Sequence, residues 1–176
     1  MLFRSIRRQW EHAAATDYLT DLPNRRTLTE SGEQRFVLAR AQNSGLTVVV
    51  IDIDHFKNIN DRYGHDTGDR ALIHVAKVLR SACPATAQLA RQGGEEFVVL
   101  FDTALPADAI ASAERLRLAL HSTPLALPSG PLTITASFGV SVLGSEDRRF
   151  DDTLRRADQA VYAAKSAGRN RVELDV

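Results

Sequence analysis

The chain of 176 residues has a single cysteine, Cys83. It therefore cannot build an internal disulfide framework. It also lacks any N-x-S/T acceptor, so nothing in it calls for an oxidising compartment. No apolar stretch approaches the roughly 20 residues that cross a bilayer. The opening residues MLFRSIRRQW scatter arginines among apolar side chains and show no small-residue cleavage site, which excludes an ordinary signal peptide. A cytoplasmic domain with no direct membrane insertion is expected, whether or not the intact protein is tethered. Net charge is missing too. The 22 basic and 22 acidic residues cancel, which argues against a broad basic face for nucleic acid. Neither G-x-x-x-x-G-K-[ST] nor G-x-G-x-x-G occurs, and there is no internal repeat.

What remains is an ordinary globular composition, 44% hydrophobic and 25% charged. A chain of this length buries roughly 70% of its unfolded surface, enough for a core without staples. One domain is expected over residues 17–176. Ahead of it, Leu2, Ile6, Trp10 and Ala13 fall at spacings that suit an amphipathic connecting helix over residues 1–16. That helix would meet a partner helix or fold back on its own domain.

The pattern predicts a helix from the turn LTDLPNRR to about Asn43, then a doubly covered strand over Leu46–Ile53. A helical turn over Phe56–Arg62, a loop over Tyr63–Thr67 and a helix over Gly68–Ala82 follow. Strands at Gln88–Arg91 and Glu95–Phe101 join at Gly93 and Gly94, a hairpin signal. Pro106 opens a helix with Ile110, Ala113 and Leu120 on one face. Pro124, Pro128 and Pro131 mark a loop before a strand over Leu132–Leu143 with an interior glycine. A last helix over Asp152–Ala167, with Leu154, Ala157, Val161 and Ala164 inward, stops at Gly168 before a short strand at Arg171–Leu174. The fold class is α/β, a mixed central sheet with helices packed on it in two or three layers.

Two acidic clusters stand out: Asp52 and Asp54 at the end of the buried strand, and Glu95 and Glu96 after the Gly-Gly turn. If the hairpin lies beside that strand, the carboxylates converge and need a counter-charge, which a hard divalent cation such as Mg²⁺ supplies. Mg²⁺ typically binds through one or two carboxylates plus substrate phosphates, so the pattern points to nucleotide chemistry. The plainer alternative has Asp54 capping the next turn and the glutamates solvated. Phosphates could rest on the backbone amides of His55, Phe56 and Lys57 at a helix start, with the Lys57 charge beside them. Lys165 and Arg169, four apart at the end of the last helix, could neutralise terminal phosphates or complement the helix dipole. Asn60 and Asp69 are candidates for reading a base, since a carboxylate suits the N1–H and amino group of guanine. For Asp69 the competing role is a capping-box arrangement with Asp66.

RQGGEEF (Arg91–Phe97) and DIDHFKNINDRYGHDTGDRAL (Asp52–Leu72) resemble the GGDEF family of diguanylate cyclases. LTDLPNRR, SFGVSVL and ADQAVYAAKSAGRNRV resemble further blocks of that family in its order, so the resemblance runs from about Asp17 to Val172. It implies a fold similar to the adenylyl cyclase core and the polymerase palm, and condensation of two GTP into cyclic di-GMP with release of pyrophosphate. Two subunits would meet head to head, each holding one GTP and two Mg²⁺ ions, with Mn²⁺ as a substitute. Asp52, Glu95, Glu96 and the carbonyl of Ile53 match the metal positions, with Asp52, Glu95 and Glu96 the catalytic acids. Asn60 and Asp69 match the guanine-reading pair, with Leu22 and Leu72 lining the base pocket. Lys57, Lys165, Arg169 and the amides of His55 and Phe56 match phosphate contacts. Gly93 and Gly94 let the backbone approach the nucleotide.

Departures from the pattern are informative. The turn reads GGEEF, keeping a carboxylate at the third position, and Gln92 stands where tyrosine is common. The R-x-x-D motif for product inhibition is replaced by Pro84 and Ala87, so that brake is expected to be absent. No sensor is recognisable, which suggests an upstream sensory domain beyond this chain. The alternative from another class is a catalytically inactive GTP-binding regulatory module. Such modules usually lose the acids or glycines of the turn, and here all four are kept. A template-directed polymerase would need a basic surface that is not evident.

Overall fold

A computed structural model describes residues 15–175. The connecting helix expected over residues 1–16 lies, but for its last two residues, outside the described residues. The elements are α1 (Arg25–Gln42), β1 (Thr47–Ile53), α2 (Phe56–Tyr63), α3 (His65–Ala82), β2 (Gln88–Gly93) and β3 (Glu96–Phe101). They are followed by α4 (Pro106–His121), β4 (Leu125–Leu127), β5 (Gly130–Leu132), β6 (Ala136–Val142), α5 (Phe150–Ser166) and β7 (Val172–Asp175).

Five strands form one mixed sheet in the order β2-β3-β1-β6-β7. β1 sits at its centre, antiparallel to both β3 and β6, and only the β6–β7 pair is parallel. All seven residues of β1 are buried, because helices cover both faces. Strand periodicity splits them. Val49, Ile51 and Ile53 join the core beneath α2, α3 and α4. Val48 and Val50 join a second core with Leu28 and Phe36 of α1 and Phe150, Ala157 and Val161 of α5. The result is a three-layer sandwich, as the apolar run of β1 implied. Among the described residues no helix is long and apolar enough to cross a membrane.

Several expectations need correcting. The loop expected over Tyr63–Thr67 is a single residue, Gly64, whose φ of +84° lets α3 begin at His65. Gly64 is also the N-cap of α3, with no side chain capping it, so the Asp66/Asp69 capping arrangement does not form. Asp54 does not cap α2 either. The N-cap is His55, held left-handed at φ +55° without a side-chain hydrogen bond. On α4 the buried face is Ala109, Ala113, Leu116 and Leu120, whereas Ile110 is exposed. Leu154 is only half-buried. The proline-marked loop holds the β4–β5 hairpin, so Leu132 ends β5 and the long strand starts at Ala136. Arg169 lies beyond α5, which ends at Ser166, because Gly168 turns left-handed at φ +116°.

The interior glycine of β6, Gly139, has a packing reason. A Cβ there would overlap the carbonyl oxygen of Ala157 and the amide nitrogen of Val161, so the backbone of α5 crosses directly over β6. Neither obstacle is the end of a flexible side chain. Gly139→Ala should therefore destabilise the fold toward the upper end of the roughly 1–3 kcal/mol typical of overpacking, measurable by urea denaturation; an unchanged midpoint would refute the close crossing.

Candidate functional site

The site forms where β1 and β3 end together. Asp52 is paired directly with Glu96 in the β1–β3 register. Alternation places Asp52 on the same side as Val48 and Val50, facing α5. From α5, Lys165 reaches back with its Nζ 2.8 Å from Asp52 Oδ2. Glu95 occupies the turn, and its carbonyl accepts a hydrogen bond from the Ile53 amide at 3.3 Å. The two acidic clusters, Asp52 with Glu95 and Glu96, are therefore brought together, and Lys165 joins them, a contact that the spacing did not indicate.

Their electrostatics are those of crowded acids. Asp52 is 6% exposed, and burial pushes its pKa up despite the hydrogen bond and charge of Lys165. Burial and the Asp52 charge also raise Glu95. Glu96 is raised by burial, by Asp52 and by Asp158 of α5, a neighbour that the sequence patterns did not single out. Among the described residues no three His, Cys, Asp or Glu side chains form a ready-made cage for a metal. The donor set nonetheless fits a hard cation that binds through one or two carboxylates and completes its shell with phosphate and water. Charge already converges on Asp52 from Lys165 and, at longer range, from Arg169.

The base-reading candidates also meet. A Cβ on Gly68 would fall on the Asn60 side-chain oxygen. The amide of Asn60, on α2, thus lies over the first turn of α3, next to Asp69, which is exposed. His55 and Lys57 are exposed while Phe56 is buried, and the amides of Phe56 and Lys57 at the start of α2 have no preceding helical carbonyl to bond. Leu22 and Leu72 are both core residues of the α2–α4 layer. Leu22 also lines a cleft of about 450 Å³ with Arg80, Cys83, Pro84 and Ala87. Burial lifts the Cys83 thiol to about 11, leaving it unreactive.

The Gly-Gly turn is held by a device absent from the expected list. Gly93 and Gly94 have φ of +151° and +50°, with open space where a Cβ would sit, so conformation rather than crowding requires glycine. Arg91 clamps the turn: its Nε and Nη2 donate to the carbonyl of Gly94, at 3.1 and 2.6 Å. Its Nη1 donates to Asp17 at 2.8 Å. Asp17 also accepts from the amide and hydroxyl of Thr20. The Asp-x-x-Thr spacing, a side-chain turn signal, was the available clue. By contrast, Gln92 carries a buried side-chain oxygen with no partner.

Burial raises the pKa of Asp17, but hydrogen bonds from Thr20 and Arg91 and the charge of Arg91 outweigh it, leaving it below the ordinary carboxylate value. A carboxylate depressed in the folded state stabilises above its unfolded pKa and loses that contribution as pH falls through the folded one. Asp17→Asn should thus cost about 2 kcal/mol at neutral pH, and the deficit should shrink toward zero in acid. Thermal denaturation across pH 2–7 would show it; a deficit independent of pH would refute the ion pair's role.

Comparison with known proteins points one way. The family described as "Diguanylate cyclase, GGDEF domain" matches residues 14–171. Diguanylate cyclase DgcP of Pseudomonas aeruginosa is 41% identical over 98% of this chain and 26% of that protein. Response regulator PleD of Caulobacter vibrioides is 43% identical over 95% of this chain and 38% of that protein. The chain thus spans roughly a quarter to two-fifths of these relatives. Among solved structures, the coiled coil and GGDEF domain of DgcB from Caulobacter crescentus in complex with c-di-GMP superposes with a TM-score of 0.90. It has 31% identity, covering 98% of this chain and 91% of that one. The active GGEEF domain of a diguanylate cyclase from Vibrio cholerae gives 0.81, at 36% identity over 87% of this chain and 97% of that one.

Proposed function

This chain belongs to the GGDEF domain family of diguanylate cyclases, and on that premise we propose that it condenses two GTP molecules into cyclic di-GMP, releasing two pyrophosphates across a head-to-head dimer. The observation that carries the reading is the register pairing of Asp52 with Glu96, beside the Glu95 turn and under Lys165. An inactive regulatory module has no need to keep three mutually repelling carboxylates together.

In this reading Asp52, Glu95, Glu96 and the carbonyl of Ile53 hold two Mg²⁺ ions, with Mn²⁺ as a substitute. When bound, the ions lower the pKa of the attacking hydroxyl and stabilise charge on the α-phosphate. Asn60 and Asp69 select guanine, and Leu22 and Leu72 back the base. Phosphates lie on the amides of His55 and Phe56 with Lys57, while Lys165 and Arg169 offset charge building on pyrophosphate. Each 3′-oxygen bonds to the α-phosphorus of the other nucleotide and the α–β bridge breaks. Glu96, the second acidic residue of the turn, is placed to take the hydroxyl proton. Facing half-sites supply both nucleophiles, so a second copy of the chain is an obligatory partner.

Dimerisation in the cell is assigned to an upstream sensory domain outside this chain. In this reading residues 17–176 are the catalytic unit, working in the cytoplasm. The balanced charge of 22 basic and 22 acidic residues speaks against nucleic-acid partners.

Incubation with GTP and Mg²⁺ should yield cyclic di-GMP and pyrophosphate on chromatography. Asp52→Ala and Glu95→Ala should each reduce the rate by roughly 10³-fold or more, the several kcal/mol that metal-borne stabilisation supplies. Product unchanged in both variants would overturn the site. Absence of product from a chain fused to a strong dimeriser, with GTP bound, would instead favour the regulatory module.

A second outcome concerns control. Pro84 and Ala87 stand where an Arg and an Asp would grip product, and both line the Leu22 cleft. Initial rates should be unaffected by cyclic di-GMP at concentrations that leave GTP binding intact. Inhibition abolished by substituting Pro84 or Ala87 would contradict this.

A further inference from the structure

Beyond α5 the backbone takes three left-handed residues in succession: Gly168 at φ +116°, Arg169 at +63° and Asn170 at +43°. Glycine accepts this readily, but for residues with a Cβ it costs on the order of 1 kcal/mol each and persists only where neighbours over-determine it. The strained pair includes the arginine assigned to the phosphates, so what holds it bears on catalysis.

Three elements grip this segment. From α5 itself, the carbonyl of Ala164 accepts the Arg169 amide at 3.0 Å. From the end of β1, Asp54 Oδ2 accepts the Asn170 amide at 3.0 Å. Asp54 is in turn immobilised: it is 5% exposed and accepts from the hydroxyls of Thr135 and Ser137 at 2.8 and 2.7 Å. From α4, Arg117 Nη1 donates to the Asn170 side-chain oxygen at 3.0 Å and to its carbonyl at 3.4 Å. The guanidinium is braced by Glu114, at 2.8 Å from Nε. Asn170 is thus held by its amide, its carbonyl and its side chain.

We propose that Asp54 and Arg117 are positioning residues that clamp Asn170 from opposite sides and thereby hold Arg169 at the phosphate end of the site. This rests on the nucleotide reading and deepens it. Without the clamp, Asn170 and Arg169 relax to ordinary backbone angles and the Arg169 guanidinium leaves its place, while the base-reading residues on α2 and α3 are untouched. The consequence is selective: affinity for the triphosphate falls and affinity for a monophosphate does not.

Asp54 is a buried peg whose replacement threatens folding, so the decisive variant is Arg117→Ala, at a partly buried helix position (17% exposed), with Arg169→Ala and the double variant. The probe is 3′-deoxy-GTP with Mg²⁺, which carries no attacking hydroxyl, titrated by calorimetry beside GMP. Arg117→Ala should weaken 3′-deoxy-GTP about fivefold, the worth of roughly one hydrogen bond to a positioned partner, and leave GMP unchanged. The double variant should bind 3′-deoxy-GTP no more weakly than Arg169→Ala alone, because the two act as one unit. Additive losses, an equal loss of GMP, or no loss at all would overturn the clamp alone. Failure of the unaltered chain to bind either nucleotide would overturn the nucleotide reading, and the clamp with it.

Discussion

Three carboxylates at one end of a sheet repel one another, and it is chiefly backbone register that keeps them there. Asp52 and Glu96 are directly opposed in the β1–β3 ladder, an arrangement that like charges disfavour. The opposition is sustained by the hydrogen bonds and side-chain burial of the residues behind them, Val48 to Ile51 and Phe97 to Leu100, all buried. Folding energy collected in the two cores is thus expended on holding like charges together. Lys165 partly offsets the repulsion, but it comes from the helix that crosses β6 at Gly139. Close packing of α5 on the sheet is therefore as much a condition of the site as the acids are.

The unusual backbone of the molecule gathers around that same end. Left-handed residues without the excuse of glycine occur at Asp21, His55, Arg169 and Asn170 as well as at the Asn43 cap. His55 caps the start of α2, and Arg169 and Asn170 follow the helix that carries Lys165. Asp21 lies in the turn that Asp17 and Thr20 build beside Arg91. Strain stored where loops meet the site is kept by ion pairs and buried hydrogen bonds rather than by apolar packing. That division explains how a rigid three-layer core can present an irregular polar rim without losing its own order.

The sheet and the acids were legible in the sequence because each leaves a strong local signature. A doubly covered strand reads as an unbroken β-branched run, and Gly93-Gly94 marks its hairpin. That Asn60 packs over Gly68, beside Asp69 in the chain, is visible only in the structure. What could not be read was anything decided by a partner distant in sequence. Ile110 looked inward by helical spacing, but α4 rotates to bury Ala109 and Leu116 instead. The Gly64 joint was taken for a loop, since a single residue with positive φ between two helices carries almost no pattern. Arg91 and Asp17 lie 74 residues apart, and neither residue alone distinguishes a buried clamp from two solvated charges.

Asp52 and Asp54 show why composition cannot assign a role by itself. They are two apart at the end of one strand and look equivalent in the sequence. β1 ends at Ile53, however, and the amide of Asp54 already bonds to Thr135 beyond the ladder, at 2.9 Å. Its carboxylate then meets two hydroxyls and a backbone amide, donors enough to satisfy a buried anion permanently. Asp52 meets one ammonium group and two further acids, an environment that leaves acceptor capacity and negative charge in excess. A carboxylate saturated by fixed donors has nothing left to offer a cation, whereas one crowded by its own kind gains most from one. The pair divides accordingly: Asp54 is committed to the hydroxyls of Thr135 and Ser137 and the amide of Asn170, whereas Asp52 keeps the capacity that the proposed metal role requires.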